Sequence, residues 1–295
     1  MKPWLAAIAV LPFAFVAFAA LAARAADDAA IARGAYLFAA ADCATCHTDV
    51  KNHGAPLAGG RALVTEFGTF YTPNITPDPT NGIGRWSLAD FRRALREGIG
   101  RNGAYLYPVF PFTSYSGMND SDIADLYAYL MTQKPDSTPN KPDEIKFPFA
   151  FRPLLAAWRL LYFTPGPLLP IGEKSPEWNR GRYLSEAVVH CQECHTPRNF
   201  FGAVENGAHA YAGNPNGPDG VRSSNITPDK DTGIGQWSVA DIAGLLKTGQ
   251  TPDGDAINRQ MSDVIKGTAT LAESDRQAIA VYLRSLPPLH ATPRN

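Results

Sequence analysis

CATCH, Cys43 to His47, and CQECH, Cys191 to His195, hold all four cysteines of a 295-residue chain. The spacing has a chemical meaning. Two thiols three positions apart on a helical turn reach the two vinyl groups of one porphyrin, and the adjoining histidine turns its imidazole onto the iron. A lone Cys-x-x-Cys also serves redox dithiols and zinc sites. Disulfides would suit an exported chain but would not call for His47 and His195, and zinc would need further cysteine pairs that the chain lacks. Two copies, each followed at once by histidine, point to two covalently bound haem c groups, one on Cys43 and Cys46, the other on Cys191 and Cys194.

Outward from the pentapeptides the chain repeats itself. ARGAYLFAAADCATCHT, from Ala32, answers NRGRYLSEAVVHCQECHT, from Asn179; NITPDPTNGIGRWSLAD, from Asn74, answers NITPDKDTGIGQWSVAD, from Asn225. DIADLYAYL, ending at Leu130, answers DRQAIAVYL, ending at Leu283. The offset grows from 147 at Gly34 and Gly181 to 148 at the cysteines, 151 at the Asn-Ile-Thr segments and 153 at Tyr129 and Tyr282. The fold expected is all-α, in two tandem units: residues 26–134 and 177–288, joined by a Pro-rich connector over 135–176 and followed by a tail, 289–295.

Each unit reads as a helix before the cysteines, a long Gly- and Pro-rich loop region, a middle helix and a last helix. Ser87 with Asp90, and Ser238 with Asp241, have the spacing of a helix start, where hydroxyl and carboxylate satisfy free backbone N–H groups. Ile123, Leu126, Tyr127 and Leu130, and Ile279, Tyr282, Leu283 and Leu286, recur at helical spacing as core stripes. Gly34 and Gly181 are expected to let the first helix approach the last near Tyr129 or Tyr282. The connector's prolines favour an extended, stiff path. Within it FRPLLAAWRLLYF, Phe151 to Phe163, is a short amphipathic helix that either clamps the units or docks a partner.

The second axial ligand is sought among methionines, since no cysteine is spare. Met1 belongs to the leader and Met131 has no counterpart in the second unit. Met118 and Met261 remain, 71 and 66 residues beyond their histidines, each in the loop expected before a last helix. The expected irons are therefore held by His47 with Met118 and by His195 with Met261. His53, His190, His209 and His290 read as surface or hydrogen-bonding residues, with His53 and His209 in reserve. A thioether is a soft, neutral donor that favours Fe(II), and a six-coordinate iron suits electron transfer over catalysis. Trp86 and Trp237 are placed either against a porphyrin, with an indole N–H for a propionate, or in the turn that caps the following helix.

Lys2, the apolar run from Pro3 to Ala23 and the Ala23-Arg24-Ala25 site read as an export signal over residues 1–25, with an uncleaved anchor as the alternative. Either places the rest outside the cytoplasm, in the periplasm or on the outer face of the cytoplasmic membrane. Removing the segment takes Lys2 and Arg24 away and leaves 25 basic against 28 acidic side chains, so a nucleic-acid partner is not expected.

GAPLAGG (from Gly54), YTPNITPD, LYPVFPF, FRPLLAAWRLLYF, WNRGRYL, CHTPRNFFGA and AIAVYLRSLPP together resemble the multihaem cytochrome c subunits of bacterial periplasmic dehydrogenases. These accompany alcohol, gluconate, fructose and some molybdenum-containing enzymes. The resemblance implies two small cytochrome c domains that pass electrons from a quinoprotein, flavoprotein or molybdenum-type catalytic subunit to a cytochrome, an oxidase or quinone. Many relatives carry a third haem unit and a membrane-binding end, and some have methionine where Phe110 stands. The competing class is a dihaem redox enzyme, a peroxidase or a thiosulfate-oxidising cytochrome. The first needs an iron with a displaceable ligand and the second a cysteine-ligated haem.

Overall fold

The computed structural model describes residues 11–217, 220–257 and 259–291, so the start of the expected export segment and the end of the expected tail lie outside it. The first repeat opens with α1 (Leu11–Ala40), which passes the Ala23-Arg24-Ala25 site without a break. It continues through α2 (Cys43–His47), strands β1 (Ala62–Thr65) and β2 (Gly68–Tyr71), α3 (Leu88–Glu97), the single turn α4 (Phe112–Tyr115) and α5 (Asp120–Met131). Strand β3 (Glu144–Ile145) and α6 (Leu154–Tyr162) follow. The second repeat comprises α7 (Pro176–Tyr183), extended by a π turn over Leu184–Val188, then α8 (Gln192–His195), α9 (Val239–Thr248), α10 (Arg259–Thr268) and α11 (Glu273–Arg284). No helix among the described residues is long and apolar enough to cross a membrane.

The helix starts read from sequence are present. Ser87 and Ser238 each accept from the backbone N–H three residues on, and Asp90 and Asp241 return the bond to the cap N–H, closing two capping boxes. The expectation of a purely helical chain is corrected by a three-stranded antiparallel sheet in order β1-β2-β3. Exposure alternates along both strands as in a strand pair; the turn falls at Glu66 and Phe67, and Gly68, at φ 133°, opens β2 where a Cβ would run into the Glu144 carbonyl.

In each repeat the first helix lies on the last, α1 on α5 and α7 on α11. Gly34 and Gly181 are the points of closest approach. A Cβ on Gly34 would overlap the backbone of Asp125 and crowd the Tyr129 Cβ, and one on Gly181 would do the same to Ala278 and Tyr282.

The repeats then pack on one another by exchanging equivalent side chains. Tyr36, on α1, donates to Asp275 of α11 at 2.7 Å and accepts from the Ala272 N–H at 2.9 Å. Its counterpart Tyr183, on α7, donates to Asp122 of α5 and accepts from the Asn119 N–H at 3.2 Å. A reciprocal contact of this kind marks a pseudo-twofold relation, as in an isologous dimer. Burial and the bond to Asp275 push the Tyr36 phenol up to about 12, so the donor stays protonated through the neutral range. Removing both hydroxyls, in Tyr36→Phe with Tyr183→Phe, is expected to cost about 1 kcal/mol each, measured by thermal melting with haem content unchanged.

The connector clamps both repeats. The Trp158 ring of α6 meets Phe112 edge-on while its indole N–H donates to the Phe201 carbonyl at 2.9 Å. Arg159 stacks over Tyr105, Phe112 and Phe163. Trp158 and Arg159 give this helix a clamping role, while Leu160 and Leu161 beside them stay exposed.

Candidate haem sites

The pentapeptides form short helices entered through left-handed residues at the same position, Asp42 at φ 52° and His190 at φ 47°. Each motif histidine is fixed by its neighbourhood. His47 Nδ1 lies 2.8 Å from the Pro73 carbonyl and His195 Nδ1 lies 2.7 Å from the Ser224 carbonyl. A carbonyl only accepts, so Nδ1 carries the proton and Nε2 keeps its lone pair for a metal. Burial also holds both imidazoles below their ordinary pKa, in the neutral form that ligates.

The Asn-Ile-Thr segments hold those carbonyls in place. Asn74 Oδ1 accepts from the Thr76 N–H and hydroxyl, and Asn74 Nδ2 donates to the Asp136 carbonyl at 2.8 Å. Asn225 repeats the pattern with Thr227 and the Leu289 carbonyl. The chain after each last helix thus ties the turn that orients the proximal histidine, and the turn reading of these segments is realised.

One continuous cavity of about 2970 Å³ receives both pentapeptides. That is roughly three times the upper size of an ordinary small-molecule pocket, ~1,000 Å³. Cys43, Cys46 and His47 line it from the first repeat with Trp86, Phe110 and Leu126; Cys191, Cys194 and His195 line it from the second with Trp237, Met261 and Ile279. Cys43, Cys191 and Cys194 are not poised as redox thiols, which need a lowered pKa. Burial pushes Cys43 and Cys191 up to about 12, and burial followed by Glu193 pushes Cys194 up to about 11. No cluster of three His, Cys, Asp or Glu side chains fit for a metal ion occurs among the described residues. Two cysteines and an oriented histidine from each repeat, lining one mainly apolar cavity, fit covalently held porphyrin.

Of the residues expected at the sites, Met118 alone is not brought to the cavity. Its side chain is 0% exposed, inside the protein core, and it does not line the cavity wall. The placement has a simple cause: Met118 directly precedes Asn119, the cap of α5, where an apolar residue packs under the first turn. His53 is exposed in a turn away from the cavity, whereas His209 stands at its rim.

Glu193 escaped sequence reasoning, and His190, read there as a surface or hydrogen-bonding residue, faces the other repeat. Glu193, inside the second pentapeptide, is buried and accepts from Thr113 at 2.9 Å and Ser114 at 2.8 Å of the first repeat, with Arg198 paired to its other oxygen. Burial raises its pKa, but Arg198 and these hydroxyls outweigh that and hold the carboxyl below its ordinary range. His190 packs edge-on against Tyr115 of the first repeat, centroids 5.4 Å apart. Neither residue is matched at the equivalent position, Thr45 or Asp42, so self-comparison gave no signal for either.

Residues 31–134 match the cytochrome c family. The chain is 44% identical over 259 residues to a diheme cytochrome c-type protein of Cereibacter sphaeroides, covering 86% of this chain and 85% of that one. It belongs to the dihaem c-type cytochromes. The cytochrome carries two covalently bound haem c groups and works as an electron carrier. It is also 42% identical to the fructose dehydrogenase cytochrome subunit of Gluconobacter japonicus and 39% identical to the alcohol dehydrogenase (quinone) cytochrome c subunit of Gluconobacter oxydans. Those alignments take in 87% and 92% of this chain but 52% and 58% of the relatives' own lengths.

Proposed function

We propose that this cytochrome takes electrons from the catalytic subunit of a periplasmic dehydrogenase, of quinoprotein, flavoprotein or molybdenum type, and hands them to a cytochrome, an oxidase or quinone. Residues 26–134 and 177–288 act as two cytochrome c domains, with 135–176 as the connecting clamp and 1–25 as the export or anchoring segment. Cys43, Cys46 and His47 would hold the first haem; Cys191, Cys194 and His195 would hold the second, with Met261 as a further donor to its iron. Trp86 and Trp237 flank the porphyrins. The haems supply a reversible one-electron Fe(III)/Fe(II) couple.

The observation that carries this reading is the shared cavity. Both pentapeptides open into one space, and Cys46 and Asp42 bear electrostatically on Cys194. Haems held at the two pentapeptides would therefore share one cavity. The names of the relatives, cytochrome subunits of dehydrogenases, support the upstream partner.

Leu160 and Leu161 of α6 are 85% and 72% exposed, and Leu161 borders the cavity with Phe200 and Phe201, themselves exposed. An apolar patch at a redox centre suits a docking partner. Stopped-flow mixing with the substrate-reduced dehydrogenase is expected to reduce both haems in one turnover sequence. Leu160→Asp with Leu161→Asp should slow that reduction at least tenfold while leaving the haem spectra unchanged. Failure of any dehydrogenase from the source organism to reduce the protein would sink the proposal.

A further inference from the structure

The two repeats can be superimposed by their own hydrogen bonds, and the result separates the two methionines. In the first repeat Ile99 bridges Tyr105 and the Leu106 N–H donates to the Gly98 carbonyl. In the second, Gln250 bridges Ala256 and the Ile257 N–H donates to the Gly249 carbonyl. Leu106 and Ile257 are thus equivalent, 151 positions apart, as are α3 and α9. Four residues beyond Leu106 stands Phe110; four residues beyond Ile257 stands Met261.

The last helices are equally unambiguous. Asp120–Met131 and Glu273–Arg284 are each 12 residues long and 153 positions apart. Counting back from them, Met118 is the equivalent of Leu271, and both are core residues, 0% and 3% exposed. The two additional residues of the second repeat fall in between, where the four-residue α4 is answered by the ten-residue α10. Phe110 and Met261 line the cavity, whereas Met118 and Leu271 do not.

We infer that the two haems are chemically unlike: the second iron is closed by Met261, while the first faces the phenyl ring of Phe110, has no thioether from the chain, and keeps a sixth position open to a small exogenous ligand. The pocket wall there is apolar, formed by Leu95, Leu106, Phe110, Leu126 and Leu130. The Tyr115 hydroxyl, beside Phe110, is turned away to donate to the Ala41 carbonyl at 3.1 Å. These five side chains carry no charge and no hydrogen-bond donor, which suits a neutral diatomic that binds ferrous iron, such as carbon monoxide. A phenyl ring cannot ligate, so the first haem also lacks the thioether that raises potential.

The inference rests on haem attachment at both pentapeptides, and the test separates the two. Haem content of the matured protein is counted first; a value below two per chain would fault the attachment. With two haems present, the dithionite-reduced protein is titrated with carbon monoxide. One ligand per chain is expected, together with a ferric methionine charge-transfer band of half the intensity that two Met-ligated haems would give. Met118→Leu, which copies the other repeat, should change neither quantity. Phe110→Met should abolish carbon monoxide uptake and double the band. No uptake by the wild-type protein, or loss of half the band in Met118→Leu, would overturn the inference. Both results are read without relying on Phe110→Met maturing correctly.

Discussion

Gly181→Ala is expected to lower the melting temperature of the second repeat by on the order of 10 °C. The new methyl has nowhere to go. Its carbon would overlap the Ala278 carbonyl and come within 2.9 Å of the Tyr282 Cβ, and the nearer obstacle is backbone, not a side chain that can rotate. The helices α7 and α11 must therefore move apart. Overpacking typically costs 1–3 kcal/mol, and a backbone obstacle belongs at the upper end, about 3 kcal/mol, which at a few °C per kcal/mol gives the shift stated. Tyr282 and the Tyr36–Asp275 contact sit on the helix that would be displaced, so the interface between repeats is expected to loosen as well. Gly244 provides the contrast. It lies within α9, and nothing stands within 4 Å of a Cβ built there. Gly244→Ala should be neutral or stabilise by about 0.5–1 kcal/mol, because alanine loses less backbone entropy on folding. Differential scanning calorimetry of the two variants checks both signs. Equal melting temperatures would show that the helices are less closely packed than their glycines imply.

What could be read from the chain beforehand was whatever has a local or periodic signature. The pentapeptides, the Ser-x-x-Asp starts and the paired glycines each carry their physics within a few residues or at a constant offset. The strand pair had a weaker signature, the β-branched and aromatic residues Val64, Thr65, Thr69, Phe70 and Tyr71, but these stood among glycines and prolines that spoke for loops. Other features had no local trace. Tyr36 and Asp275 are 239 residues apart, and their contact exists only because two repeats face each other. Glu193 reads as a variable position of a haem motif, yet it is buried between repeats and bonded to both.

Met118 is the instructive case. Counting methionines assigned one to each iron, whereas the drift of the repeat offset, 151 before the pre-terminal segment and 153 after it, already placed Met118 opposite Leu271. A residue type is a candidate ligand only if its register brings it to the metal. The position before a helix cap is an apolar packing site whatever the cofactor. Met118 has no accessible surface and does not line the cavity, and these are the observations that speak against its reaching the first iron.

Met261→Leu is expected to have the largest effect on the redox chemistry. Met261 stands on α10 and lines the cavity with Val264, Ile279, Leu283 and His195. Leucine keeps nearly the same volume, so the fold should hold to within about 1.5 kcal/mol. The thioether sulfur is lost, and with it the soft, neutral donor that favours Fe(II). Axial ligands command a range of ~0.8 V in haem potentials, and this change should lower the second haem's potential by on the order of 0.1 V. For a one-electron couple, every ~59 mV is a tenfold change in the equilibrium constant. Electrons would then no longer settle on the second haem, and transfer to the downstream acceptor should slow accordingly. The same variant discriminates between assignments. If Met261 is the only methionine on either iron, the ferric charge-transfer band disappears entirely and carbon monoxide uptake rises to two per chain. A residual half-intensity band would return Met118 to the first iron.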